Sequence, residues 1–170
     1  MSMTTLNREE VLISNYVPGA IGRIAELHGS YYNKYWNFGL FFEAKVAIEL
    51  SKLLIEDKLS RNGFWIASVK NNIVGSIAID GGQGKKKEAR LRFFIISPDY
   101  QGLGIGNLLM EKAINFCKDS GFRKVYLTTF VGLDAAKYLY EKWGFKLIEE
   151  KEDNTWGVVV KEQLFICTLL

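Results

Sequence analysis

Apolar and polar positions along this chain follow two repeats. A period of two, or a short unbroken apolar run, predicts strands at Phe64–Val69, Ile73–Ile79, Leu91–Ile96 and Lys124–Phe130. Closing strands follow at Phe145–Glu150 and Val158–Leu169, and Glu9–Tyr16 alternates loosely, as an edge or near-edge strand does. A period near 3.6 predicts helices. Ala20–His28 opens after Pro18-Gly19 and carries Ile21, Ile24 and Ala25 on one stripe. Leu40–Asp57 has a wide apolar face built on Phe41, Val46, Leu50 and Leu53, and Asn107–Ser120 is stopped by Gly121. Ala135–Trp143 is a fourth helix, with Asp134 placed to cap it and Gly144 to end it. Lys70-Asn71-Asn72 reads as a hairpin turn, and Gly75 inside the following strand predicts close approach of another backbone.

Between the first two helices lies GSYYNKYWNFG, Gly29–Gly39, with five aromatic residues in eleven. It reads as a loop, and its rings serve either as a satellite core or as the wall of a substrate pocket. Hairpins mixed with strand–helix–strand crossovers imply an α/β (α+β) chain: a mixed central sheet of about seven strands with helices on both faces. The length, 170 residues, fits one domain over 1–170, and no repeat or low-complexity linker divides it.

The pattern converges on Leu91–Cys117. An apolar strand runs into a loop with glycines at 102, 104 and 106, and the loop opens a helix. Glycine admits the positive φ that lets such a loop wrap tightly. The helix start adds unpaired N–H groups and a partial positive charge. Gly102–Asn107 is therefore a candidate pyrophosphate cradle. A P-loop would need Lys-Ser/Thr after its last glycine, where Asn107-Leu108 stands. A dinucleotide fingerprint needs a third glycine where Asn107 or Leu109 falls. What is left is Q-x-x-G-x-G on Gln101, Gly104 and Gly106.

That motif follows Ile96-Ser97-Pro98, and a second, L-Y-x-x-x-G-F, occupies Leu139–Phe145. Together and in this order they resemble the GNAT N-acetyltransferase superfamily. HGSYY at His28–Tyr32 and FEAKVA at Phe42–Ala47 are similar to the acetyltransferase domains found fused to MarR-type regulators. The resemblance implies transfer of an acetyl group from acetyl-CoA to a primary amine by direct attack in a ternary complex. It implies Phe94, Ile95 and Ile96 for the pantetheine arm, and Gln101, Gly102, Leu103, Gly104, Ile105, Gly106 and Asn107 for the diphosphate. Tyr140 takes the position of the family's general acid, or is a core tyrosine. The family's usual asparagine falls on Leu133, and the strand glutamate of some members falls near Arg90. The proton acceptor is left among Glu43, His28 and Glu150, with Glu43 preferred as amine recogniser or base. His28, Tyr32, Trp36 and Glu43 are the candidate acceptor-binding residues.

Composition trims the alternatives. With 22 basic against 19 acidic residues the net charge is +3, too small to argue for nucleic acid, and Lys85–Lys87 reads as a solvated hairpin tip. No apolar run nears the roughly 20 residues of a membrane span, and the first ten residues do not have the shape of a signal peptide, so a cytoplasmic protein is expected. Cys117 and Cys167 match no metal spacing and are expected as buried thiols, with no metal. The acceptor is expected to be a small-molecule amine, with no nucleic-acid or membrane partner. A homodimer is possible through the apolar end Leu164–Leu170. The rival to an enzyme is a non-catalytic acyl-CoA sensor or regulatory module.

Overall fold

The computed structural model describes residues 10–57, 60–82 and 87–170. Seven strands form one sheet: β1 Val11–Ser14, β2 Gly63–Val69, β3 Asn72–Asp80, β4 Glu88–Ile96, β5 Lys124–Phe130, β6 Lys146–Asp153 and β7 Val160–Thr168. Their order is β1-β2-β3-β4-β5-β7-β6. Only β4 and β5 pair in parallel; every other neighbour is antiparallel. The helices are α1 Ala20–Trp36, α2 Leu40–Ile55, α3 Ile105–Asp119 and α4 Asp134–Lys142. On one face α3 and α4 bury Leu109, Met110, Ala113 and Tyr140 against Ile77, Leu91, Val125 and Leu127. On the other, α1 and α2 bury Ile24, Leu50, Phe42 and Val46 against Ile66, Ala78 and Phe130. Helices cover both faces because the inner strands bury residues on both, β3 without a break from Val74 to Ile79.

Local chemistry accounts for most boundaries. Lys70 and Asn71 take φ of 49° and 64°, the left-handed pair of a two-residue hairpin loop. The close approach expected at Gly75 is present: a Cβ there would stand 2.8 Å from Ile95 O on the adjacent strand. Both cysteines are free and buried, and burial pushes the Cys117 thiol up to about 12.

Four expectations are corrected. The aromatic segment is not a loop: α1 continues through Gly29 to Trp36 and ends at Asn37, whose φ of 56° and N–H bond to Asn33 O close the last turn. Gly29 stays in the helix because α2 crosses it there; a Cβ would lie 2.8 Å from Glu43 Oε1. Asp134 is the first helical residue of α4 rather than its cap, and Leu133 precedes it with no side-chain cap. The closing strands shift, β6 running on to Asp153 and β7 starting at Val160. Strand β7 cannot pair across a dimer, because β5 and β6 already flank it from Val160 to Thr168. Glu9 and Lys85–Lys86 lie outside the described residues; Lys87 is described, and its carbonyl accepts the amides of Arg123 and Lys124.

Candidate functional site

The sheet opens in its middle. β4 and β5 pair only at Glu88↔Lys124, Ala89↔Val125 and Arg90↔Tyr126, and then separate. A bulge on β4 accompanies the opening. Phe93 has φ of 51°, and the register against β3 jumps from Ala78↔Arg92 to Ser76↔Ile95, so Phe93 and Phe94 share one facing residue, Ile77. The Ser76 hydroxyl donates to Phe93 O at 2.6 Å and holds the bulge. Its consequence is a swap of faces: Phe93 packs toward α1 and α2, Phe94 toward α3 and α4. The edge of β4 beyond Arg90 has no strand against it on the β5 side.

The glycine loop closes one end of this opening. Pro98–Tyr100 forms a 3₁₀ turn, and Gly102 and Gly104 take φ of 76° and 84°. Leu108 N donates to Gly104 O at 3.3 Å, so the amides of Ile105, Gly106 and Asn107 precede that helical bond. Side-chain bonds brace the loop. Gln101 Nε2 donates to Ile96 O at 3.1 Å, and Asn107 Oδ1 accepts from Trp143 Nε1 at 3.1 Å and Lys142 Nζ at 3.3 Å, tying α3 to α4. Gly106 has no space to spare, since a Cβ would lie 3.0 Å from Leu139 Cδ2 and 3.3 Å from Phe94 Cζ. The resulting cleft, about 520 Å³, is lined by residues 94–96, 101–102 and 104–107 on one side and by α4 with its preceding loop on the other.

A smaller cavity of about 110 Å³ continues through the gap between β4 and β5. Tyr32, Phe94, Thr129 and Tyr140 border both spaces and form the passage between them. Tyr140 is 5% exposed, packed against Phe94, Phe145 and Phe165, and burial holds its phenol above the ordinary range, so the hydroxyl keeps its proton. Burial likewise raises the Tyr32 phenol. His28 is 5% exposed between Tyr32 and Phe93. Burial lowers its pKa to about 4, which leaves the imidazole neutral near pH 7. Its Nδ1–H donates to Ile24 O at 2.8 Å, which assigns the lone pair to Nε2. Deeper in the cavity, Arg92 pairs with Glu49 and, at 3.2 Å, with Asp80. Arg90 Nη2 donates to Thr128 Oγ1 at 3.0 Å.

The residues singled out in the sequence divide accordingly. His28, Tyr32, Phe94 and Tyr140 converge on the passage or the small cavity, and the loop residues form the cradle, apart from Leu103, whose side chain points outward, 42% exposed. Glu43 does not belong with them: it is exposed on α2, with its carboxylate over Gly29. Glu150 lies on β6 and accepts from Gln163 Nε2 at 2.8 Å and Lys161 Nζ at 3.2 Å, outside both cavities. Trp36 supports the passage from behind by packing on Tyr31 and Tyr32, but lines neither space. Sequence reasoning missed Thr129, Lys142, Arg90 and Trp156 as lining residues. Lys142 sits inside the L-Y-x-x-x-G-F run and was findable there; Trp156 lies between β6 and β7, with no periodic signal to mark it.

Comparison with known proteins agrees with this geometry. Residues 22–145 match the model of the acetyltransferase (GNAT) family. The camello protein of Xenopus tropicalis is 31% identical over 136 residues, 78% of this chain and 61% of that protein. N-acetyltransferase 8B of Homo sapiens is 30% identical over 100 residues, 57% of this chain and 44% of that protein. The chain thus spans about half of the length of these relatives. Among solved structures, an acetyltransferase from Streptococcus agalactiae superposes with a TM-score of 0.75 at 22% identity, covering 95% of this chain and 99% of that one, which is a likeness of fold.

Proposed function

Because this chain belongs to the acetyltransferase (GNAT) family, we propose that it transfers the acetyl group of acetyl-CoA to a primary amine of a small molecule, by direct attack in a ternary complex. The observation that carries the reading is the continuity of the two spaces. An anion cradle at the start of α3 and the free edge of β4 lead into one cleft, and Tyr140 stands where that cleft meets a second, smaller cavity. A diphosphate takes the amides of residues 102–107. The pantetheine arm lies along β4 as an added strand, beside Phe94, Ile95 and Ile96. The thioester then arrives at the passage, and the amine reaches it from the cavity side.

The amine nitrogen attacks the thioester carbon, and a main-chain N–H at the bulge receives the negative charge that develops on oxygen. As the intermediate collapses, the C–N bond remains and the C–S bond breaks. Tyr140 gives its proton to the departing thiolate. A buried phenol suits this step, because it is fully protonated before transfer and recovers the proton from solvent afterwards. The amine's own proton passes through water to bulk, while His28 Nε2 accepts a hydrogen bond from the amine. A neutral imidazole is competent to accept that hydrogen bond, and a pKa of about 4 makes it an orienting partner more than a strong base.

One feature favours the rival reading of a non-catalytic acyl-CoA module. Leu133, apolar, lines the cleft at the position of the family's asparagine and withholds a donor-side hydrogen bond. Thiol release from acetyl-CoA, followed over a panel of small primary amines, separates the two. Turnover with at least one amine is expected; saturable acetyl-CoA binding without turnover on any of them would leave the sensor.

A further inference from the structure

The small cavity beyond Tyr140 is lined by a guanidinium that makes no direct ion pair among the described residues. Arg92 is neutralised by Glu49 and Asp80, and Glu49 is paired with Lys45 at 2.8 Å as well. Arg90, two residues earlier on the same face of β4, makes no ion pair among the described residues. Its one hydrogen bond goes to the neutral Thr128 hydroxyl, and its Nε is buried without a protein partner. The other acid that feels its charge, Glu162, is hydrogen-bonded to Asp153. Arg90 is half-buried, Glu49 and Asp80 act on it only at a distance while bonded to Arg92, and a partly desolvated guanidinium with no direct carboxylate partner is suited to receive one from a ligand.

A second orphan donor borders the same cavity. Trp156 Nε1 is buried without a partner. The indole is fixed in place by Phe42 at 5.4 Å and Phe130 at 6.1 Å, with Lys45 over its ring at 5.6 Å. Indole N–H groups in such surroundings normally find an acceptor. Arg90 and Trp156 thus come from elements 66 positions apart in sequence to line one cavity of about 110 Å³, room for a group of a few heavy atoms. A planar guanidinium fork is matched geometrically to a carboxylate.

We infer that the acceptor carries a carboxylate close to its amine, an amino acid being the simplest case, and that the Arg90 guanidinium and the Trp156 indole N–H receive that carboxylate while the amine faces the passage at Tyr140 and Thr129. This rests on the acetyl-transfer reading above and adds the class of acceptor to it. A free carboxylate beside the amine belongs to a small acid and not to a protein N-terminus, whose first carboxyl is in a peptide bond, and the cavity of about 110 Å³ has room for it.

The test follows thiol release from acetyl-CoA with the L-amino acids and, in parallel, with the corresponding amino-acid amides. The best acid is expected to exceed its own amide by about 10- to 100-fold in kcat/KM, the range of hydrogen bonds to a charged group. Arg90→Gln is expected to bring that ratio near one while acetyl-CoA affinity, read calorimetrically, stays within about twofold. Arg90→Lys keeps the charge and is expected to keep part of the preference. Amides used as well as acids, or a preference that survives Arg90→Gln, would overturn the inference. Binding is read independently of turnover by titrating the N-acetylated acids and amides into the CoA-saturated protein, where the same ordering is expected and binding by no acid would overturn it. If acetyl-CoA neither binds nor reacts while free amino acids still bind in an Arg90-dependent manner, the acetyl-transfer reading falls and the carboxylate site stands.

Discussion

His28 is the only histidine in the chain, so its titration can be read without ambiguity. It is 5% exposed, flanked by Tyr32 and Phe93, with its Nδ1–H committed to Ile24 O. Burial lowers its pKa from 6.5 to about 4, opposed only in part by the backbone bond. In the unfolded chain the imidazole binds a proton as pH falls through 6.5; in the folded chain it does not until about 4. The unfolded state therefore gains protons first, and stability is lost progressively between pH 6.5 and 4, with no further loss from this group below that. At about 1.4 kcal/mol per pKa unit, the full loss is roughly 3 kcal/mol, a large part of the usual stability of a domain this size. Urea unfolding at a series of pH values, for the wild type and for His28→Phe, isolates the term, because all carboxylates titrate alike in both. The wild type is expected to lose about 3 kcal/mol more than the variant between pH 7 and 4. The imidazole proton resonance of the native protein should stay put from pH 8 to 5. A native titration midpoint near 6.5, or parallel stability curves, would refute the buried neutral imidazole and with it the free lone pair on Nε2.

Three further outcomes follow from the geometry. Tyr140→Phe is expected to lower kcat by about 10²- to 10⁴-fold with acetyl-CoA affinity nearly unchanged, measured by steady-state kinetics and calorimetry. Gly104→Val places a β-branched side chain at φ of 84° just before α3; it should cost about 1–3 kcal/mol in urea unfolding and weaken CoA binding more than tenfold. Arg92→Met leaves Glu49 to Lys45 alone and Asp80 without its ion pair and should lower stability by about 1–3 kcal/mol, whereas Arg90→Met removes a charge with no direct ion pair and should leave the unfolding midpoint unchanged or raise it.

Much of the cradle was legible because its chemistry is local. Three glycines, a preceding apolar strand and a following apolar stripe lie within Leu91–Cys117, so loop and helix start can be read in one pass. The α2 and α3 stripes and the strand alternation were equally local. The misses needed distant partners. Gly29 looks like a stop until α2 crosses it and explains why it remains helical. Glu43 sits at the right end of its helix but faces the wrong side, and no spacing rule distinguishes the two faces when Phe41 and Phe42 are both apolar. The bulge at Phe93 is not flagged by any turn residue in Leu91–Ile96, apolar but for Arg92, although it decides which ring faces which layer. That Arg90 and Trp156 line one cavity depends on the segment between β6 and β7 returning to β4, which periodicity does not encode.

The central claim is that the amides of residues 102–107 hold the diphosphate of CoA. Backbone ¹H–¹⁵N correlation spectra recorded while CoA is titrated into the labelled protein test it most directly. The account predicts that the amides of Gly102, Gly104, Ile105, Gly106 and Asn107 are among the most displaced in the spectrum, shifted downfield as N–H groups are when they meet an anion. Saturable binding with those resonances unmoved, and the displaced ones clustered elsewhere on the sheet, would contradict it.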